Sequence, residues 1–323
     1  MFTINPAKPV AYKESAIQKA LDKSGSLIAD RKYDGVRCHI VIKPTADING
    51  RPAARAYFLS RTNKMIAALR SAWLSNEEQL ALGQFLQESR WPEGIVLDGE
   101  AMVKGMDFNA SSGRLRSDAQ LPLSQLTYVL YGVLPASELE ASETADLSLS
   151  NVMIQVISQV TIHQLKELLK PIDWQLAESW DVYDMEQINE LFEEQLSLGR
   201  EGLVLKDPMA PWKRGKKTGW WKVKNEDTID GNVVGVVWGT EGKANEGKVI
   251  GFEVLLENGV VVNACGLTQD QMVRFTSNIK LNPDYYKDWA VQVKFMERTP
   301  DGSLRHPSFD CWRGMAGHET EKM

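Results

Sequence analysis

Apolar positions along the chain fall into short alternating or continuous runs separated by stretches of helical spacing, a pattern that predicts a mixed α and β protein. Residues 15–23 predict a short helix. Residues 27–29 and 36–42 flank the tetrapeptide KYDG and predict strand, tight turn, strand. A third strand is expected over 56–59. Over 77–88, Leu80, Leu82, Phe85 and Leu86 have helical spacing. Ile95–Val103 predicts a strand carrying Asp98-Gly99-Glu100, and 126–133 a buried strand. Residues 104–118 are rich in Gly, Ser and Asn and read as a loop. Residues 135–150 are acidic and Ser-rich and predict an exposed, variable loop. A helix ends over 165–170, before Pro171. Residues 175–182 predict one strand, 185–198 an amphipathic helix stopped by Gly199, and 203–206 and 220–224 two more strands.

Beyond Lys224 the texture changes. Residues 232–238, Val249–Leu256, 260–264 and 290–296 are short strands with Gly turns, and 268–280 is the single helix. That pattern suggests a small barrel of the five-stranded OB type. The polar stretch NEDTID at 225–230 marks the boundary, giving domains 1–225 and 226–323.

Composition narrows the class. With 43% apolar and 25% charged residues, the 323-residue chain can build a core, which excludes a disordered protein. No stretch approaches the roughly 18–20 apolar residues of a membrane helix, and the opening MFTINPAKPVAYKES has no basic-then-apolar leader pattern. Cys38, Cys265 and Cys311 are too scattered for a disulfide framework, and no CxxC pair suggests zinc. The expectation is a soluble protein of a reducing cytoplasm. The net charge of −6 speaks against a nucleic-acid partner. The average hides an asymmetry: KRGKKTGWWKVK, residues 213–224, holds six basic residues and no acid. This run is either a solvated face or a site for anions. Trp220 and Trp221 inside it weigh toward the second.

Four short segments could carry chemistry. Lys32 opens KYDGVR. A lysine becomes a nucleophile when desolvation or neighbouring positive charge lowers its pKa. Arg37 lies across the expected turn, Gly35 permits tight backbone, and Asp34 could hold the ammonium or order a ligand; the alternative is a surface hairpin. The carboxylates of Asp98-Gly99-Glu100 suit a ribose hydroxyl or a hydrated metal, or form a hairpin turn. EGLVLK places Glu201 at a helix-to-strand mouth. In WKVK, alternation puts Lys222 and Lys224 on one strand face, a costly arrangement unless they meet anions such as phosphates.

In this order the segments resemble the covalent nucleotidyltransferases: ATP-dependent DNA ligases, RNA ligases and mRNA capping enzymes. KYDGVR resembles motif I of that superfamily, SRTNK motif Ia, VLDGE motif III, LYGVLP motif IIIa, EGLVLK motif IV and WWKVK motif V. GKANEGKVIGFEVLLENG and TPDGSLRHPSF are similar to the small ATP-dependent DNA ligases of short-tailed bacteriophages.

The resemblance implies an α+β adenylation domain, antiparallel sheets flanked by helices, followed by an OB barrel. It implies that Lys32 forms a phosphoramide with AMP, using ATP and Mg²⁺ or Mn²⁺. The AMP then passes to the 5′-phosphate of nicked double-stranded DNA, and the 3′-hydroxyl displaces it, in phage replication, repair and recombination. Asp30, Arg31 and Tyr33 would surround adenine, and Tyr131 would stack on it. Arg37 and Arg61 would contact sugar and phosphates. Glu100 would bind ribose or metal, Glu201 metal, and Lys222 and Lys224 the α-phosphate. Arg114, Arg116, Lys213, Arg214, Lys216 and Lys217 are candidate DNA contacts. So are Lys243 and Lys248 in the barrel, with Arg305 and Arg313 near the C-terminal motif. A monomer in the cytoplasm of an infected bacterium is expected. RNA ligase or capping activity is the alternative.

Overall fold

A computed structural model of the chain describes residues 3–69, 74–224, 227–295, 297–298, 302–305 and 307–313. The chain divides after Val223 into two compact units.

The first unit has strands β1 (Lys8–Ala11), β2 (Leu27–Arg31), β3 (Val36–Ala46), β4 (Pro52–Ser60), β5 (Ile95–Val103), β6 (Leu126–Pro135), β7 (Asp173–Leu176), β8 (Ser179–Val182), β9 (Gly202–Lys206) and β10 (Lys216–Lys224). Its helices are α1 (Glu14–Ser24), α2 (Asn76–Glu88), α3 (Phe108–Arg116), α4 (Ala136–Ala141), α5 (Asn151–Leu168) and α6 (Met185–Ser197). One sheet has the order β1-β10-β9-β2-β8, the other β4-β3-β5-β6-β7. Three apolar layers result. Ile17 of α1 and Ile188 of α6 pack with Leu27, Leu203 and Trp221 on the outside of the first sheet. Residues of α2, α3 and α5 cover the second sheet's outer face, around Ile40, Leu97 and Tyr128. Val41, Val96, Leu134 and Trp220 form a cluster with residues from both sheets. β5 is buried on both faces, which explains its nearly unbroken apolar run.

β6 carries a bulge that the sequence pattern does not reveal. Asp98 pairs with Gly132 and Gly99 with Leu130, so Tyr131 is the extra residue. The phase of the outer-cluster residues steps from Leu126, Tyr128 and Leu130 to Val133. Such bulges re-aim a side chain. Asp98-Gly99-Glu100 is therefore not a hairpin turn but mid-strand. A Cβ on Gly99 would lie 2.3 Å from the Val129 carbonyl oxygen, so only glycine fits.

Three local expectations are corrected. The 104–118 loop contains α3, capped by Asp107, whose carboxylate accepts the Ala110 amide at 2.8 Å. Leu115 is buried there, and tertiary packing overrides the loop-like composition. The 135–150 segment contains α4 and buries Leu139 and Leu147. The 175–182 strand is two strands in different sheets, β7 beside β6 and β8 beside β2.

The second unit has β11 (Asp227–Trp238), β12 (Val249–Leu256), β13 (Val261–Cys265), α7 (Gln269–Leu281), β14 (Ala290–Phe295), a hairpin of β15 (Glu297–Arg298) and β16 (Leu304–Arg305), and β17 (Ser308–Trp312). β11-β12-β13-β17-β14 close into a barrel. This order, with β13 and β17 parallel and a helix between β13 and β14, is the OB fold. Trp312 packs edge-on against Phe252 and Phe309, and Phe275 edge-on against Phe309, in its core. β17, the closing strand, was not among the strands expected from the sequence. Asn225, Glu226 and Met296 lie outside the described residues.

Candidate active site

Period-two alternation decides which side chains face the space between the two sheets of the first unit. On β2, Leu27 and Ala29 point outward, so Ile28 and Asp30 point inward and Lys32 continues that phase. On β3, Arg37 and His39 share the face of Val41; on β5, Asp98 and Glu100 share that of Val96. Lys206 shares the face of Val204 on β9. On β10, Trp221 and Val223 point outward, while Lys222 and Lys224, both half-buried, share the face of Trp220.

The nucleophile candidate sits at the end of β2. Its amide donates to the Gly202 carbonyl at 2.8 Å, which sets it beside the start of β9. Its ammonium is ion-paired with Glu201. The Lys32 side chain is 23% exposed and that of Glu201 11%. Gly35 lets the KYDG turn lie on β5: a Cβ there would meet Glu100 Cγ at 2.6 Å.

Behind Lys32 lies a cluster of buried charges. Arg37 donates two hydrogen bonds to Asp98, at 2.6 and 2.7 Å. Although burial works against it, this guanidinium and His39, whose Nε2 lies 3.1 Å from the carboxylate, hold the Asp98 carboxyl well below its usual range. Glu100 behaves oppositely. Burial pushes its pKa up to about 7, against the opposing pull of Arg37, Lys32 and the Tyr131 hydroxyl. Tyr131 donates to Glu100 at 3.1 Å, and Arg37 lies 5.0 Å from its ring. Burial and the neighbouring Glu100 raise the Tyr131 phenol well above its usual value, which keeps it a donor. The Tyr33 and Tyr131 rings are 6.3 Å apart. A cavity of about 160 Å³ adjoins Tyr131, lined also by Asp30, Ser179, Lys206 and Trp220.

Two expectations need correction. Arg31 does not face this cavity. It lies on the outer phase of β2, bonds Glu178 at 2.7 Å and covers the Tyr33 ring at 4.4 Å. Arg200 takes the other Glu178 oxygen at 3.0 Å, so Glu178 braces the residues preceding Lys32 and Glu201. Arg214 is no exposed cation: it is 1% exposed and donates to the carbonyls of Ala145, Ile4 and Leu139. Lys213 bonds the Thr218 carbonyl and Lys217 pairs with Asp146, while Lys216 is exposed. Arg116 is exposed, and Arg114 closes the turn after α3 through the Ala119 and Gln120 carbonyls. Arg61 is exposed in a turn whose Asn63 accepts the Ile4 amide at 3.0 Å. In the barrel, Lys243 is exposed, Lys248 bonds Gln269 and Arg313 bonds Asp230 at 2.9 Å. The Arg305 side chain lies outside what the structure describes.

No group of three or more metal-ligating side chains occurs among the described residues. Glu100 and Glu201 fit the alternative arrangement, in which one or two carboxylates hold Mg²⁺ together with water and substrate phosphates.

The sequence model of the ATP dependent DNA ligase domain matches residues 8–224. The chain belongs to the ATP-dependent DNA ligases. The DNA ligase C-terminal domain matches residues 225–285 and 281–313 of this ligase. It is 43% identical to the DNA ligase of Enterobacteria phage T3, covering all of this chain and 99% of that one. It is 40% identical to the DNA ligase of Escherichia phage T7, covering 99% and 98%. The T7 enzyme's structure, solved in complex with ATP, superposes with a TM-score of 0.63 over 97% of this chain and 99% of that one, at 41% identity. A Lig E DNA ligase, 17% identical, shares the fold, with a TM-score of 0.62 over 95% and 99%.

Sequence reasoning missed Ser179, Gln155, Glu178 and Arg200 as parts of the site. Lys206 did carry a signal: a lysine ending the apolar run GLVL is buried by alternation and needs a partner.

Proposed function

We propose that this ligase forms its enzyme–AMP intermediate on Lys32 and seals nicks in double-stranded DNA. The observation that carries the reading is Lys32 itself. It is a largely buried lysine at the mouth of the sandwich, flanked by Glu201 and backed by Arg37, Glu100 and Tyr131. A neutral Lys32 Nζ attacks the α-phosphorus of ATP, the bond to the bridging oxygen breaks, and pyrophosphate leaves with that oxygen. The nick's 5′-phosphate oxygen then attacks the same phosphorus and releases Lys32. Finally the 3′-hydroxyl attacks the DNA 5′-phosphorus and AMP departs.

Phosphoryl transfer needs positioning and charge neutralisation more than covalent help. Lys222 and Lys224, inward on β10, supply positive charge for the α-phosphate. Tyr131 offers its ring to adenine. Glu100 receives the ribose hydroxyls or a metal. Glu201, the ion-pair partner of Lys32, would hold Mg²⁺, which would supply neutralisation of the triphosphate charge. Lys213, Lys216, Lys217 and Arg116, with Lys243 and Lys248 of the barrel, contact DNA phosphates. The enzyme acts as a monomer in the cytoplasm of the phage-infected cell; no helix among the described residues is long and apolar enough to cross a membrane.

The test is sealing of an end-labelled nicked DNA duplex, beside a nicked RNA duplex, with ATP or GTP. Ligated DNA with ATP alone is expected. Sealing of RNA but not DNA would overturn the DNA assignment.

A further inference from the structure

Asp30 is 6% exposed and both its oxygens are engaged. One accepts the Ser179 hydroxyl at 2.7 Å, and the other is ion-paired with Lys206. The side-chain amide of Gln155, on α5, donates to that same Ser179 oxygen at 2.9 Å. A hydroxyl has one hydrogen. Because the Gln155 N–H arrives at the Ser179 oxygen, the hydroxyl hydrogen is left to point at Asp30. The chain therefore has one direction, Gln155 to Ser179 to Asp30, and it ties α5 to β8 and β2. Lys206 supplies the counter-charge and lies 4.4 Å over the Trp220 ring. Trp220 is itself fixed through its indole N–H to Asn151 at 3.0 Å.

Gln155, Ser179, Asp30 and Lys206 all line the one cavity beside Tyr131. A carboxylate has about four acceptor sites, and these two donors leave the others open. Paired with Lys206 and fixed in one orientation by Ser179, the Asp30 carboxylate offers acceptor sites to the cavity. That suits an exocyclic amine and opposes a carbonyl oxygen at the same position.

We propose that Gln155 and Ser179 are positioning residues that aim Asp30 at the 6-amino group of the nucleotide base, and that this relay sets the preference for ATP over GTP in the adenylation step. The inference rests on the reading above that the cavity beside Tyr131 receives the base of ATP.

The test is self-adenylation of the full chain with α-labelled ATP, GTP and purine riboside triphosphate, which lacks the 6-amino group. Ser179→Ala removes the relay. Gln155→Glu puts an acceptor where a donor stood and draws the Ser179 hydrogen away from Asp30. Wild type should favour ATP over the amine-free nucleotide by about 100-fold or more, as expected when a polar site loses its partner. In both variants that ratio, and the ratio of ATP to GTP, should fall at least about tenfold. The fall should come through the ATP KM, with kcat and the melting midpoint little changed. Ser179→Thr, which keeps the hydroxyl, should restore the wild-type ratio. Unchanged ratios in Ser179→Ala and Gln155→Glu would overturn the relay, as would a wild type indifferent to the amine. A wild type that takes no label from any nucleotide would instead remove the ATP reading beneath it.

Discussion

Lys32 and Glu201 are ion-paired at the junction of β2 and β9, and the Lys32 amide is held by the carbonyl of Gly202, the residue after its partner. The proposed nucleophile is thus held in an ion pair with Glu201. Both side chains are mostly removed from water, so neither is comfortable alone. Lys32→Ala should destabilise the unadenylated protein by about 1–3 kcal/mol in urea unfolding. Adding Glu201→Gln should recover part of that loss, because it removes the stranded charge. Additive losses would show that the two residues do not interact.

Glu100 gives a pH signature. Its folded pKa, about 7, lies above the usual carboxylate value because burial disfavours the charged form. For a raised pKa, the native state holds a proton that the unfolded state has already lost. The contribution to stability is therefore full below pH about 4.3 and is lost as pH rises through 7. Glu100→Gln, which cannot titrate, should lack this slope and gain relative to wild type across that window, by roughly 3 kcal/mol at most. Self-adenylation by the wild type should rise through pH 7 as the carboxylate forms. Parallel stability curves for the two proteins would contradict the account.

Asp98 titrates in the opposite sense. Arg37 and His39 depress its pKa despite burial, so the stability it contributes is present above pH about 4 and is lost only in stronger acid. Asp98→Asn leaves the Arg37 guanidinium without its counter-charge. It should cost about 3–5 kcal/mol by denaturant melt and lower the rate of lysyl-AMP formation, because Arg37 loses its orientation. A cost under about 1 kcal/mol would mean that the pair contributes nothing net.

Neighbouring cations of the basic run should separate cleanly. Arg214→Met strips the buried Ile4 and Leu139 carbonyls, and that of Ala145, of their donor and should lower stability by about 2–4 kcal/mol. Lys216→Ala, at an exposed site, should leave melting unchanged. It should weaken nicked-DNA binding and reduce the slope of log affinity against log salt by about 1. Equal effects of both on the salt slope would return Arg214 to the DNA surface.

Much of this fold was legible. Ile95–Val103 was bounded correctly because a strand buried on both faces leaves an unbroken apolar run. Thr268 and Gln271 form a capping box where α7 was expected to begin. Where local pattern and tertiary demand diverged, the sequence misled. α3 is built from Asn, Ser and Gly and is held by its Asp107 cap, by buried Leu115 and by the Ser111 hydroxyl accepting the Val103 amide at 2.8 Å. The Tyr131 bulge is invisible because LTYVLYGVLP is apolar in either register. Residues with distinctive spacing around Lys32 were found. Those recruited by the fold from 149 residues away, such as Ser179 for Asp30, were not. Arg214 shows the limit of reading charge from sequence, since a guanidinium can be consumed entirely by backbone carbonyls.

The most direct test of the account is to incubate the purified ligase with ATP and Mg²⁺, digest it, and locate the added AMP by mass spectrometry. The account predicts one adenylylated residue, Lys32, and no adduct in a folded Lys32→Ala protein. An adduct on Lys206, Lys222 or any other side chain, or one that survives Lys32→Ala, would contradict it.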